Sequence, residues 1–520
     1  MQTSTTFPSA PPAAPESGFD AFIKDMRGEL GPDAVSIAGE TLDRYGEHTL
    51  PSPDNRPAAV LYPASTTEVQ RIVQAANRHK VQLFPISTGQ NIGLGSKSPM
   101  CPGQVVVDLG RHMNRVIEVN EVLGYCEVEP GVSFQSLYDE LNKRGSRLMM
   151  SPTAGPPQGS LLGNALDKGG GGGAAADHFG SVCGMEVVLG NGDIIRTGDG
   201  SLQAAEHLNW HVSKYSFGPA LDGLFTQSNY GIVTRAGIWL MLRPPHIEPF
   251  FFSAADDDDL DEVIELVRPL KQTNFVPTQI RVTNDLYLIA AAESNPEYTT
   301  SGGRTQISDE ARRALQHKHG LGSWNISGAL FGASKQAVAP QIDRLRAHFA
   351  KSSKIRYIPP EEAQAVAPLD IARKNYLGIP SDGELRMLNW RPGGGTAWFL
   401  PGMPMNGLIA HQMQKHAREI CRQHGLEYMV SNVCGPRFAR GVHTLVFNRN
   451  DPDEAARADQ CYRALAASYA ERGVFVGRAP TMYQQFHQEQ RMSGIVQACD
   501  AIKRALDPNG VIAPGKYGIR

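Results

Sequence analysis

The sequence predicts a chain of mixed helices and strands folded as two domains, the first completed by the C-terminal tail. Three observations point there. With 520 residues the chain is longer than one hydrophobic core usually serves. From Ala58 onward, short β-branched runs alternate with stretches of helical period. Near Pro244-Pro245 the character changes to acidic helices and separated strands, which continue to Val476. The boundaries expected are an arm at 1–20, a first domain at 21–243, a second at 244–476 and a returning segment at 477–520.

Taken in order, Met1 to Asp20 is rich in Ser, Thr, Pro and Ala, with neither a basic n-region nor an apolar h-region. It reads as a flexible arm rather than a signal peptide. A cytoplasmic location is expected, and periplasmic export in company with a partner stays open. Ala59-Val60-Leu61-Tyr62 reads as a strand, and Thr67 to His79 as a helix because Val69, Ile72, Val73 and Ala76 fall on one face. The apolar-rich run Arg71 to Phe84 then leads into Pro85 to Pro99, which packs Gly89, Gly93 and Gly95 into seven residues. Glycines there allow positive φ and close backbone approach, so successive N–H groups can converge on a pyrophosphate, and a dinucleotide is the ligand expected. A tight surface turn is the competing reading, since the loop lacks the G-x-x-x-x-G-K-[ST] spacing.

Strands follow at Val105 to Val107, Val116 to Val119 and Tyr125 to Val128, then the turn Glu129-Pro130-Gly131 and a helix over Ser133 to Lys143. The region Ser151 to Gly180 contains five consecutive glycines, Gly169 to Gly173. Low complexity would make it a linker. The hairpin pattern that follows at once, Met185 to Leu189 and Ile194 to Arg196 around Gly190-Asn191-Gly192-Asp193, instead places those glycines inside a domain, lining a ligand. The second domain carries acidic helices such as Asp256 to Val267, and the tail has a helix over Ser493 to Leu506.

A net charge of −3 with 20% charged residues offers no broad basic field, which excludes nucleic acid as a main partner. The seven cysteines are scattered, without C-x-x-C or paired histidine spacing, and read as reduced buried residues rather than a metal site. No uninterrupted apolar run approaches the ~20 residues of a membrane span.

Eight motifs bring the chain to a family. They are Ser87-Thr88-Gly89-x-Asn91-x-Gly93-x-Gly95, Glu129-Pro130-Gly131, Gly163-Asn164, Asp177-His178-Phe179, Met185 to Leu189, Phe225-Thr226-Gln227-x-Asn229-x-Gly231-Ile232, Asn389-Trp390 and Ala513-Pro514-Gly515. In that order and approximate spacing, they resemble the vanillyl-alcohol oxidase and p-cresol methylhydroxylase family of flavoproteins. The likeness spans nearly the whole chain and is greatest toward the p-cresol methylhydroxylase branch, whose glycine-rich segment Gly393 to Phe399 resembles. It implies an α+β, two-domain FAD-binding fold with an α/β cap domain over the flavin, and FAD as cofactor. The cofactor residues it implies are Ser87, Thr88, Gly89, Gln90, Asn91, Gly93, Ser160, Gly163, Asn164, Gly173, Asp177, His178, Ile232, Arg478 and Lys516. His178 reads equally as a satisfied structural histidine.

The family moves hydride from a carbon beside a ring to the flavin and often adds water to what remains. Arg478 matches a family arginine suited to stabilising the anionic reduced ring, with a surface ion pair as the bland reading. Glu384 matches an active-site carboxylate able to take a proton or orient water, against a solvated turn residue after Ser381-Asp382-Gly383. The substrate pocket is expected to include Leu94, Ile371, Trp398, Ser431, Thr444 and Gly477.

Departures from the family pattern carry the substrate reading. Leu94, Gly477 and Ile371 stand where phenol-oxidising relatives carry tyrosines, Gly172 to Ala176 replace a Tyr-containing segment, and Ser431 and Thr444 replace acids. A buried hydroxyl without partners costs roughly 1–3 kcal/mol, whereas an apolar ring gains ~25 cal/mol per Å² buried. An alkylbenzene or a cyclic monoterpene with an allylic methyl is therefore expected in place of a p-alkylphenol. Leu388 and Thr396 stand at the flavin-linking positions, so FAD is expected to be non-covalent and of lower potential than in linked relatives. The acceptor implied is a cytochrome c or an iron–sulfur protein, in an oligomer that can include a paralogous flavoprotein subunit. Competing readings are a p-alkylphenol methylhydroxylase, an oxygen-using oxidase and a non-catalytic flavin-binding scaffold.

Overall fold

Four sheets and the helices packed on them make up a computed structural model that describes residues 16–520. Of the expected N-terminal arm, residues 1–15 lie outside the described residues, and the remainder belongs to the helix Glu16–Leu30. Phe22 and Met26 of that helix are fully buried with Ile23 beside them, a helical apolar stripe that the composition of the arm hides.

The first domain has three sheets, one of them only the two-stranded pair Leu148–Met149 with Met241–Leu242. In the smaller of the other two, Ala59–Leu61, Val105–Asp108 and Leu83–Ile86 run parallel, with Val35–Ser36 antiparallel at the edge. Val105, Val106 and Val107 are all fully buried, as a continuous apolar run in a sheet covered on both faces should be. The helix Thr66–His79 makes the parallel crossover, with Ser65 as its N-cap accepting from the N–H of Glu68. The larger sheet is antiparallel, in the order Val116–Asn120, Tyr125–Val128, Gly231–Trp239, Val182–Leu189, Ile194–Arg196.

The tail adds to the parallel sheet. Leu83 N–H donates to Val511 O at 2.8 Å, and Ala513 N–H to Leu83 O at 2.7 Å. Buried Lys503 ties the segment down, its Nζ donating to Asn229 O, Asp507 and Ile512 O at 2.6–2.7 Å.

Between them lies the cap, built on an eight-stranded antiparallel sheet. Its order is Ile355–Ile358, His246–Ala254, Trp324–Gly332, Ile280–Asn284, Val430–Cys434, Phe438–Phe447, Gly395–Pro404, Val476–Arg478. Helices Leu260–Gln272, Gly407–Gln423 and Pro452–Glu471 bury one face of this sheet in a core that includes Phe399, Tyr462 and Tyr469. Part of the opposite face packs against helices Asp285–Ile289 and Ala367–Tyr376 and the 3-10 helix Gly383–Trp390, and the rest is left to the site. The edge strand Val476–Arg478 pairs Leu400 with Arg478, so the cap sheet runs two residues past Val476. Among the described residues no helix is long and apolar enough to cross a membrane, and no cluster of three or more His, Cys, Asp or Glu could hold a metal.

Candidate active site

A cavity of about 730 Å³ lies between the glycine loop and the open part of that face of the cap sheet. Gly89, Gly93 and Gly95 have φ of +68°, +71° and +131°, so the loop leaves strand Leu83–Ile86 along a path closed to residues with a Cβ. The N–H groups of Thr88, Gly89, Gln90 and Asn91 have no acceptor among the described residues, and all four residues line the cavity. Ser160 Oγ donates to Pro130 O at 2.6 Å and accepts from Gly163 N–H at 2.8 Å. A Cβ on Gly163 would stand 2.3 Å from Ser87 Oγ, so glycine there lets the short helix Leu161–Leu166 meet the loop.

The run Gly169 to Gly173 works by close approach, since none of its members has positive φ. A Cβ on Gly172 would lie 1.9 Å from Asn375 Oδ1, and one on Gly171 2.3 Å from Ser151 Oγ. Gly169 to Gly172 line the cavity; Gly173 does not, and its N–H is spent on Ser151 Oγ. His178 also stands outside the lining. It lies within 2.7 Å of Asn164 Oδ1 and 2.8 Å of Ser151 O, and burial lowers its pKa to about 4. A neutral ring has one N–H for those two partners, so Asn164 must turn its amide N–H₂ to the other nitrogen. His178 is a structural strut.

Arg478 meets Asp167, donating Nε at 3.0 Å and Nη2 as well, and reaches Asn91 Oδ1 at 3.4 Å. Asp167 also accepts from Tyr517 OH at 3.0 Å. Gln227 Nε2 bridges Asp167 O and Gly477 O, at 3.3 and 2.8 Å. Burial lowers the Lys516 pKa against the pull of Asp167, and burial then the Arg478 charge lower that of Arg440. Ser96, Lys168, Gln227 and Tyr517, four of the seven non-glycine residues at positive φ among the described residues, line this cavity. Such conformations cost of order 1–3 kcal/mol each and collect at ligand sites.

Alternation along the cap strands decides the other wall. Arg281 pairs across to Val433, Val433 to Arg440 and Arg440 to Gly402, a row on one sheet face. Val442, Leu400 and Trp398 continue the lining. Arg281 forks onto both oxygens of Glu384, with Nη2 to Oε2 at 2.9 Å, and its Nε donates to Ser431 Oγ at 2.9 Å. Tyr287 OH donates to Glu384 Oε2 at 3.1 Å. The short helix Asp285–Ile289 fixes Tyr287, since its N-cap Asn284 accepts the N–H of Tyr287 at 3.1 Å. Burial would lower the Arg281 pKa, yet the Glu384 charge and hydrogen bonds hold it above the usual arginine value. Burial followed by the same charge pushes the Tyr287 phenol up, which keeps it a donor.

Of the expected substrate residues, Leu94 and Trp398 line the cavity. Ile371, Ser431, Thr444 and Gly477 do not. Ile371 is spent on packing, 2.8 Å from where a Gly383 Cβ would be. Ser431 is taken up by Arg281 and Thr283, Thr444 is buried opposite Trp398, and Gly477 is exposed with its carbonyl on Gln227. Gly93 is likewise behind the lining, where a Cβ would lie 2.4 Å from the Trp398 ring. The remaining expected cofactor residues, Ser87 to Asn91, Ser160, Gly163, Asn164, Asp177, Ile232, Arg478 and Lys516, all line it, as does Glu384. Sequence reasoning missed Arg281, Tyr287, Asp167 and Arg440. Only Asp167 had a local signal, lying three residues after Gly163-Asn164.

The donor set fits FAD. Unpaired loop N–H groups suit a pyrophosphate, and Lys516 and Arg478 bring positive charge into the same cavity. Residues 57–198 match the FAD binding domain family. The chain is 34% identical to the 4-cresol dehydrogenase [hydroxylating] flavoprotein subunit of Pseudomonas putida, covering 98% of this chain and 97% of that one. It is similar to the crystal structure of p-cresol methylhydroxylase with substrate bound, at 33% identity and TM-score 0.93, over 97% and 98% of the two chains. The 4-ethylphenol oxidase from Gulosibacter chungangensis, solved with isoeugenol, matches at 30% identity and TM-score 0.94, over 98% and 99%.

Proposed function

This chain belongs to the vanillyl-alcohol oxidase and p-cresol methylhydroxylase family of FAD-dependent oxidoreductases, and from that premise we propose that it oxidises an activated benzylic or allylic C–H of a hydroxyl-free ring. Bound FAD supplies the two-electron acceptor. Hydride leaves the substrate carbon with its electron pair, water adds to the resulting cation, and one proton is released. Glu384 and Arg478 are the residues proposed for this chemistry, Arg478 against negative charge in the reduced cofactor and Glu384 against positive charge on the substrate.

The observation that carries the substrate class is the pairing of Arg281, Glu384 and Tyr287 with one another, in a wall to which Leu94, Leu385, Leu400, Val433 and Val442 give apolar surface. An apolar ring breaks none of those hydrogen bonds. Arg440, whose guanidinium donates only to Lys168 O at 3.0 Å, has donors to spare and favours the second reading, a p-alkylphenol methylhydroxylase. Non-covalent FAD is supported by the lining, which among the described residues contains no His or Cys and only two tyrosines, Tyr287 and Tyr517, both donating to carboxylates. Electron transfer to a cytochrome c or iron–sulfur partner is supported by the relative that is itself a flavoprotein subunit.

The test is anaerobic titration of the yellow protein with limonene, ethylbenzene, p-cresol and 4-ethylphenol after acid precipitation of a sample. Yellow released to the supernatant and bleaching by the hydrocarbons support both proposals. Yellow kept in the pellet refutes non-covalent FAD, and bleaching by the phenols alone establishes the second reading. Rapid reoxidation of the bleached protein by air would assign oxygen as acceptor, and no bleaching by any compound would leave the scaffold.

A further inference from the structure

Glu384 is not a free carboxylate in this cavity. A carboxylate has about four acceptor positions. Arg281 takes one on each oxygen and Tyr287 OH a second on Oε2, which leaves a single open position, on Oε1. The fork cannot swing away, because Arg281 Nε is committed to Ser431 Oγ, which lies 2.7 Å from Thr283 Oγ1. The Arg281 and Glu384 side chains are 9% and 8% exposed. The groups facing the pair are Tyr287, from helix Asp285–Ile289, and Tyr376, from helix Ala367–Tyr376, whose OH lies 3.0 Å from both Ser327 Oγ and Ser327 O.

We infer that Arg281 is a positioning residue that fixes the direction and the open acceptor of Glu384, and through it restricts turnover to ring substrates without a hydroxyl. The inference rests on the hydride-transfer reading above. When the C–H pair and its hydrogen leave as hydride, whose two electrons FAD bound here would accept, the carbon becomes cationic. The open Oε1 position faces that charge; as water oxygen bonds to carbon, the same position takes the proton released and passes it to solvent. A phenol asks for more, since its own proton must go to a base while its oxygen is held. The hydroxyl of a 4-alkylphenol lies across the ring from the reacting carbon, so a Glu384 held by the fork at that carbon is out of reach of the phenol proton.

Ethylbenzene and 4-ethylphenol differ only by the hydroxyl and are the probes. In anaerobic stopped-flow reduction, R281Q should lose about 100-fold in the ethylbenzene rate, the scale set by removing one preorganised partner. Ethylbenzene affinity should stay within about threefold, and the ethylbenzene-to-4-ethylphenol rate ratio should fall at least about tenfold. R281K, which keeps a charge without the fork, should recover part of both. R281Q/E384Q should be no slower than E384Q, because the two act as one unit. An unchanged rate ratio in R281Q, or losses that multiply in the double variant, overturns the inference. Should R281Q fail to fold, R281M/E384M removes both charges at once, and a wild-type ethylbenzene rate there overturns it equally. Bleaching of the wild type by neither compound overturns the functional reading and this inference with it; bleaching of the wild type with an unchanged ratio in R281Q overturns the inference alone.

Discussion

Gly93→Ala isolates how the glycine loop is held against the cap. Gly93 has φ +71°, and an added Cβ would stand 2.4 Å from Cδ1 and Nε1 of Trp398. The left-handed backbone costs a non-glycine residue about 1–2 kcal/mol. Relieving the clash means moving the indole, which breaks the Trp398 Nε1 to Ile92 O hydrogen bond of 2.8 Å, worth about 0.5–1.5 kcal/mol. The sum is about 1.5–3.5 kcal/mol. In G93A the loop is expected to relieve the clash by moving off Trp398, a displacement that FAD binding must reverse, so the cost appears in FAD affinity as a loss of about 10- to 400-fold. Gly103→Ala is the control, since Gly103 also has positive φ, +85°, but a Cβ there meets nothing within 4 Å. Fluorescence titration of the two apoproteins with FAD reads the difference. Equal FAD affinities for G93A and G103A would refute the role assigned to Trp398.

Three further outcomes are expected. Burial depresses the folded pKa of His178 to about 4 and of His443 to about 3, so the unfolded chain binds their protons first as pH falls; the stability they confer is complete above ~6.5 and lost between there and about 4, by up to about 3 kcal/mol for His178. Urea unfolding from pH 7.5 to 4.5 should show this slope and H178Q should flatten it. Lys503→Met removes the fully buried ammonium and leaves the buried charge of Asp507 without its cation beneath the tail, costing about 3–5 kcal/mol; an unchanged thermal midpoint would refute the clip. Asp167→Asn takes the carboxylate from Arg478 and Tyr517 at sites 13–17% exposed for the ion pair, and FAD affinity should fall about tenfold or more, with unaltered binding counting against Asp167 as an organiser of the cavity.

Local physics made much of the protein legible from sequence. The crossover helix Thr66–His79, the strands on either side of it and the glycine loop depend on capping, period and φ, which neighbouring residues control. The residues expected to hold the cofactor came from family motifs clustered in a few short stretches, and most of them line the cavity. The start of the first helix escaped because its composition resembles an arm while its period does not. In the cap the limits were of another kind. Strand parity puts Ser431 and Thr444 on the cavity face, but parity is silent on depth, and both sit behind the side chains that form the wall.

By itself, then, the sequence determined the order of elements, the glycine loop and the flavoprotein family. Tertiary structure alone decided that Glu384 meets Arg281, 103 residues away, and Tyr287, 97 residues away. That meeting depends on which strands become neighbours in the cap sheet and on how a 3-10 helix, Gly383–Trp390, lies across them. A side-chain fork between distant strands leaves no period, spacing or composition in the chain, because the energy that selects it is the pairing of two charges that burial has removed from water.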